Sequence, residues 1–390
     1  MPLNVIFFSS QTFLNKELTA ALKRCSDVQP LFVEIPLLPP VNAVETIFEQ
    51  LKPYLPAIIV SLNDAGFDHA GVLGSLLATS GSYVLNWYYD DPLYEQIFYK
   101  RIISDTTKRI DFVSEESFVP LLCKKGRSVH FMPLATDPAY FNTKGDSPLF
   151  TYDISFVGNS SLQFMDSIIN ETMQKELEKF KALLYHVKTM YYNNAQSDVR
   201  QYLFSHRREW EKSITVDPDA FVFAMVWTIG YMYRKDFIVD LAHSFKERFM
   251  CFGDIYWTNF IEKSQVSTDA LYYINLCRYY RSSKINININ RIQTQTSFTQ
   301  RIFDCKASGA FLLTDKRTLN SRYFKTSGIG QEIVEFESLA HCKKLIDYYL
   351  VHEQERLQIA ENGRDNVLTH HTYDNRLREM LAIAKNEWHI

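Results

Sequence analysis

Between Ile285 and Asp315 the chain reads INININRIQTQTSFTQRIFDCKASGAFLLTD, with polar residues at spacings suited to holding an anion. The alternation of Ile285, Ile287 and Ile289 with asparagines predicts a strand. Arg291–Thr296 then predicts a polar loop, with Thr296 or Ser297 as helix N-cap and Gly309 as the helix end before the strand AFLLT. On a helix begun there, Ser297, Arg301 and Asp304 fall at i, i+4 and i+7 and share one face, while Phe298, Ile302 and Cys305 share another that packs on a sheet. Free backbone N–H groups at the first turn, together with Arg301, suit a diphosphate, and Asp304 further in can accept hydrogen bonds from ribose hydroxyls. An ordinary amphipathic helix with a surface ion pair accounts for the same pattern.

Gly158-Asn159 ends an earlier strand, where a glycine lets backbone approach a diphosphate and the amides can donate to it; a simple tight turn reads equally well. Nearer the N-terminus, Ser9, Ser10 and Gln11 follow the opening strand, Asn63-Asp64 the third, and Asn86-Trp87 with Asp90-Asp91 the fourth. All sit at carboxyl strand ends, where Ser10, Gln11, Asp64 and Trp87 are expected to line a cleft. An acidic pair near a substrate hydroxyl offers a general base. Asp91-Pro92 is also an N-cap and N1 pair, which leaves Asp90 as the catalytic choice. Asp217-Pro218-Asp219 spells an Asp-x-Asp pattern, but it reads as cap and proline entry to a helix, so no metal site is assigned. His370-His371 is read as structural, and no G-x-S-x-G elbow supports a hydrolase.

Positioning these residues requires many buried strands. Short apolar runs recur at 5–8, 31–35, 57–62, 83–87, 112–114 and 129–132, with helical spacing over 13–25, 41–54 and 92–103. Alternation of this kind predicts a doubly wound α/β domain over 1–148. A second α/β domain, 149–374, is predicted from strands at 152–157, 249–253, 284–290, 310–314 and 333–336. Within it, 162–247 reads as a helical insert, with amphipathic stretches over 173–192, 198–213 and 221–249. Two such domains place a ligand cleft at the carboxyl ends of their sheets.

A length of 390 residues suits two domains, and 46% hydrophobic with 14% aromatic residues excludes a disordered chain. Forty-two basic against 45 acidic residues give a formal charge of -3, no bulk field for a phosphate backbone, so nucleic acid is not expected as a partner. Six scattered cysteines without a C-x-x-C pair, no basic leader and no long uncharged apolar run predict a cytoplasmic protein without a membrane span. The Asn159 and Asn170 sequons are then loop and helix residues only.

The segments DISFVGN (153–159), YRSSKINININR (280–291), FTQRIFDCKASGAFLLTD (298–315) and the run from Tyr348 to Leu381 resemble, in order and spacing, the CgeB-like spore-maturation family of glycosyltransferases. SLND (61–64), NWYYDDP (86–92) and FMPLATDPAYF (131–141) resemble that family's first domain and link. The resemblance covers most of the chain outside the insert. It implies the GT-B fold, two Rossmann-like domains facing across a cleft, with acceptor in the first, sugar nucleotide mainly in the second, and a C-terminal helix at 375–390 returning to the first. Related enzymes carry two acidic residues separated by seven others; here Asp304 holds the second place, shorter than the usual Glu, and Thr296 holds the first. The implied activity is transfer of a sugar from a nucleoside diphosphate sugar to a hydroxyl of a protein or glycan, without metal or other cofactor. Arg301, helix amides and Arg291 would stabilise the departing charge. Alternatives are a catalytically silent sugar-nucleotide or glycan scaffold acting through partner contacts of the insert, and a sugar-nucleotide hydrolase or epimerase.

Overall fold

The computed structural model describes residues 2–10, 13–103, 108–124, 126–142, 150–169 and 174–390. The chain divides into two compact units, 1–135 with 371–390, and 136–370. The expected boundary at 148 lies outside the described residues, as do Gln11 and Asn170.

The first unit is built on β1 (Leu3–Ser9), β2 (Val28–Glu34), β3 (Ile58–Leu62), β4 (Tyr83–Tyr88), β5 (Arg109–Val113) and β6 (Ser128–Phe131), all parallel in the order β2-β1-β3-β4-β5-β6. Its helices are α1 (Asn15–Arg24), α2 (Val44–Leu51), α3 (Val72–Thr79), α4 (Pro92–Tyr99) and α5 (Val119–Cys123). Asp91 caps α4 by accepting from the Leu93 amide at 3.0 Å, with Pro92 at the first helical position. The helix expected to reach residue 103 stops at Tyr99, where Lys100 turns left-handed with φ 48°.

In the second unit, β7 (Tyr152–Val157), β8 (Phe249–Phe252), β9 (Val266–Ser267), β10 (Ser283–Asn288), β11 (Leu312–Asp315) and β12 (Val334–Phe336) are parallel in the order β12-β11-β10-β7-β8-β9. Two-residue β9 is too short to leave a pattern in sequence. Around the sheet lie α6 (Pro138–Phe141), α7 (Leu162–Ile168), α8 (Leu177–Asn193), α9 (Val199–Ser205), α10 (Arg207–Trp210) and α11 (Pro218–Phe245). They are followed by α12 (Leu276–Arg281), α13 (Gln300–Ala307), α14 (Asn320–Tyr323), α15 (Leu339–Val351) and α16 (Glu353–His370). The stretch 198–213, expected as one helix, breaks at His206, where the Ser205 hydroxyl and the His206 ring both bond the Tyr202 carbonyl. Asp217 caps α11 by accepting from the Asp219 and Ala220 amides at 3.0 and 2.9 Å, and Asp219 pairs with Arg207, so the Asp-x-Asp carboxylates are committed to a helix start.

The last helix, α17 (Tyr373–Trp388), belongs to the first unit: Trp388 stacks on Tyr83 at 4.4 Å, and Arg24 bonds Asp374 at 2.8 Å. Thr372 and Asn375 close a capping box at its start. Among the described residues no helix is long and apolar enough to cross a membrane.

In open α/β sheets ligands bind beyond the carboxyl ends of the strands, where the strand order reverses. That point lies between β1 and β3 in the first unit and between β7 and β10 in the second.

Candidate active site

In the second unit the reversal brings Gly158-Asn159, after β7, next to Asn288 and Asn290 at the end of β10. Ile285, Ile287 and Ile289 are buried as expected, but Asn286, Asn288 and Asn290 are buried too, because a central strand is covered on both faces. Buried carboxamides need partners, and here they bind structure to structure. Asn288 Nδ2 donates to Thr314 Oγ1 and to Asn290 Oδ1, and Asn290 donates to Asp315 Oδ1. Asn290 Oδ1 also accepts from the Thr299 amide at 2.9 Å, at the entrance to α13.

That bond moves the helix start. The helix expected from Thr296 or Ser297 begins at Gln300, with Thr299 in the N-cap position and the Asn290 carboxamide meeting its amide. Ser297 is therefore off the helix and wholly buried. Asp304 also leaves the expected polar face: it is 1% exposed, and its two oxygens accept from Thr136 Oγ1 and Tyr272 OH, each at 2.8 Å. Its carboxylate ties protein hydroxyls together instead of presenting an open oxygen to a ribose.

Arg301 points elsewhere, toward the strand ends. Its Nη1 donates to Asn288 Oδ1 at 2.7 Å, and its guanidinium lies 5.3 Å from the centre of the Phe156 ring. A Cβ on Gly158 would stand 2.9 Å from Arg301 Nη2, so glycine is what lets the guanidinium lie against this backbone. The Gly158 amide is not offered to a ligand as expected, since it donates to Phe252 O at 2.8 Å; the exposed Asn159 follows.

Arg234, on α11, was not among the residues singled out by sequence. Its Nη2 donates to Asn159 O at 3.0 Å and Ser161 Oγ at 2.7 Å. Burial first, then Arg291 and Arg301, pushes its guanidinium down to about 9, so it remains charged at neutral pH while being repelled by its neighbours. Burial and Arg291 likewise lower Arg301 against the opposing pull of Tyr280. Arg234 and Arg301 hydrogen-bond only neutral oxygens among the described residues. Arg291 is exposed and lies over the Trp227 ring at 5.1 Å. The sequence signal for Arg234 is a charge among apolar helical neighbours, 8% exposed on a helix that buries Ile238 and Phe237 beside it.

The residues expected on the acceptor side fare differently. Asp64 is 2% exposed and ion-paired to Arg109, with Tyr88 donating to it. Burial alone would raise its pKa, but Arg109 and Arg127 outweigh that and hold the carboxyl below its usual range. Arg109 and Arg127 also pair with the buried Asp111, at 2.7 and 3.1 Å. Trp87 is wholly buried, its Nε1 donating to Met132 O and its ring meeting Tyr373, so it is core. Ser10 is buried after β1. Asp90 is half-buried at the end of β4, with Asn63 Nδ2 donating to it at 3.2 Å. Among the described residues no cluster of three His, Cys, Asp or Glu side chains could hold a metal.

Residues 234–382 match a family model described as glycosyl transferase-like. Among solved structures, an α-glucosyltransferase described in complex with UDP-glucose and DNA containing an abasic site aligns with a TM-score of 0.53 at 9% identity, covering 99% of this chain and 100% of that one. A glycosyltransferase from Rickettsia africae ESF-5 aligns with a TM-score of 0.50 at 12% identity, covering 99% of each chain. No curated protein matches the sequence. The chain thus carries a glycosyltransferase-like domain on a two-domain GT-B fold.

Proposed function

We propose that this protein is a glycosyltransferase that moves a sugar from a nucleoside diphosphate sugar to a hydroxyl of a protein or glycan, as the CgeB-like resemblance implies. The observation that carries the reading is the group of arginines at the strand-order reversal of the second unit, where Arg301 lies against Gly158 and Arg234 binds the Asn159 carbonyl. In the transfer, the bond from the anomeric carbon to the diphosphate breaks and a bond to the acceptor oxygen forms. The nucleoside diphosphate leaves with the bonding electrons, and the hydroxyl proton goes to a base. Arg301, with Arg291 near it, stabilises the departing charge. Asp90 is the carboxylate proposed as base, supported by its partial exposure and by Asn63 orienting one oxygen while Asp91 is committed to a cap.

The chemistry is proposed to run without metal, because guanidiniums offer the countercharge. A cytoplasmic location is proposed on the six free cysteines. Thermal shift with UDP, GDP and ADP tests the donor class, since a ligand at 100 times its Kd adds about 2.7 kcal/mol of stability. A shift with one nucleotide, followed by consumption of its sugar conjugate only when acceptor is added, is expected. No stabilisation by any nucleoside diphosphate would overturn the reading. Binding without consumption would make the protein a scaffold, and consumption without acceptor a hydrolase or epimerase.

A further inference from the structure

The insert helix α11 forms one wall of a pocket whose other wall is the segment after β10. A Cβ at Gly230 would stand 2.4 Å from Ile292 Cγ2, so glycine is what permits the two walls to meet this closely. Trp227 Nε1 and Gln293 Nε2 are buried in these walls without a hydrogen-bond acceptor among the described residues. Gln293 is 9% exposed and Arg234, on the same helix as Trp227, is 8% exposed. An indole N–H and a guanidinium can only donate. Buried donors left unmade are unfavourable, and arginines placed side by side repel, so both are relieved by the same kind of ligand: a compact group rich in negatively charged oxygens.

We propose that Arg234, Trp227 and Gln293 complete a clamp on the diphosphate of the donor, which makes the helical insert part of the donor site. The inference rests on the glycosyltransferase reading and extends it to residues outside the nucleotide-binding strands and α13. Arg234 reaches the Asn159 carbonyl while Arg301 packs against Gly158, so the two guanidiniums flank the same turn. A released nucleoside diphosphate carries more negative charge than the esterified donor. The additional cation therefore favours the leaving group over the ground state, and its loss falls on kcat as well as on binding.

The test is calorimetry on the full chain with UDP, GDP, ADP, the matching monophosphates and inorganic pyrophosphate. Arg234→Gln keeps a donor for Asn159 O and Ser161 Oγ but removes the charge. It should weaken the nucleoside diphosphate and pyrophosphate by about tenfold or more while changing the monophosphate much less, and Arg234→Lys should recover part of the loss. Trp227→Phe, which keeps the ring and deletes the N–H, should weaken the diphosphate about threefold and serves if Arg234→Gln does not fold. Unchanged diphosphate affinity in both folded variants, or an equal loss for mono- and diphosphate with lowered thermal stability, overturns the role of the insert and leaves the donor reading standing. A wild-type protein that binds neither nucleoside diphosphates nor pyrophosphate overturns both.

Discussion

Both units hold charged side chains against a parallel sheet, but they settle those charges in opposite ways. In the first unit Asp64 and Asp111 meet Arg109 and Arg127, two carboxylates against two guanidiniums, all buried. In the second, Arg234 and Arg301 take neutral oxygens and lie close enough to each other and to Arg291 to lower the pKa of the most buried of them. A buried network balanced within the protein contributes to its own structure and has little left for a ligand. A group of like charges held by neutral oxygens keeps a repulsion that an incoming anion would remove. Buried charge alone therefore does not mark a site.

The largest expected effect is on stability in the first unit. Arg109→Met leaves two buried carboxylates with one arginine and should destabilise the fold by about 3–5 kcal/mol in denaturant titration, with nucleotide affinity unchanged under native conditions. Because Asp64 titrates below its unfolded value, its contribution is full at neutral pH and is lost as pH falls through the acid range. The mutant should accordingly show a flatter acid limb. If it is as stable as wild type, the first network is not what balances that unit.

Arg301→Ala should do the reverse, leaving thermal stability nearly unchanged while lowering kcat by about 10²–10³-fold, equivalent to about 2.7–4 kcal/mol. Arg301→Lys keeps charge without the planar fork and should retain part of the activity. Steady-state kinetics on folded protein decide this, and wild-type kcat in Arg301→Ala would erase the contrast between the units.

Lys306 sharpens it from another side. It is a wholly buried cation on α13 whose Nζ has no hydrogen-bond partner among the described residues, and burial pushes its ammonium down to about 8. Below that pH the folded state carries a penalised charge, and stability should rise as pH climbs from about 8 toward the unfolded value near 10.4. Lys306→Met should raise stability at pH 7 by about 1–3 kcal/mol and remove that alkaline rise, measured as melting temperature against pH. A destabilised Lys306→Met would show that this cation, too, is in use.

The smallest expected effect is that of chelator. With guanidiniums as countercharge, EDTA should change turnover by less than about twofold. Loss of activity restored by Mg²⁺ or Mn²⁺ would mean that the arginines do not suffice.

Most strands were legible because buried parallel strands leave short apolar runs, and β1, β4, β7 and β10 fall where Val5–Phe8, Tyr83–Trp87, Tyr152–Val157 and Lys284–Asn290 predict them. Caps were legible where one side chain binds the backbone a few residues on, as at Asp91 and Asp217. The start of α13 was not, because its first amide is met by Asn290, nine residues earlier on another element.

The sequence by itself determined the alternation of strands and helices and the long helical insert, and it named Arg301 as a candidate for an anion, since these depend on periodicity and on residue chemistry. Only the tertiary structure decided which polar residues remain available. Asp64 and Trp87 look like strand-end ligands in sequence, yet Arg109 and Met132, distant along the chain, take them into the core. Asp304 follows Arg301 by three residues, yet Thr136 and Tyr272 claim its oxygens. Arg234 lies far from Gly158 in sequence and beside it in space. Partnership between charges is set by distance in three dimensions, and residue type fixes only what each group could accept or donate.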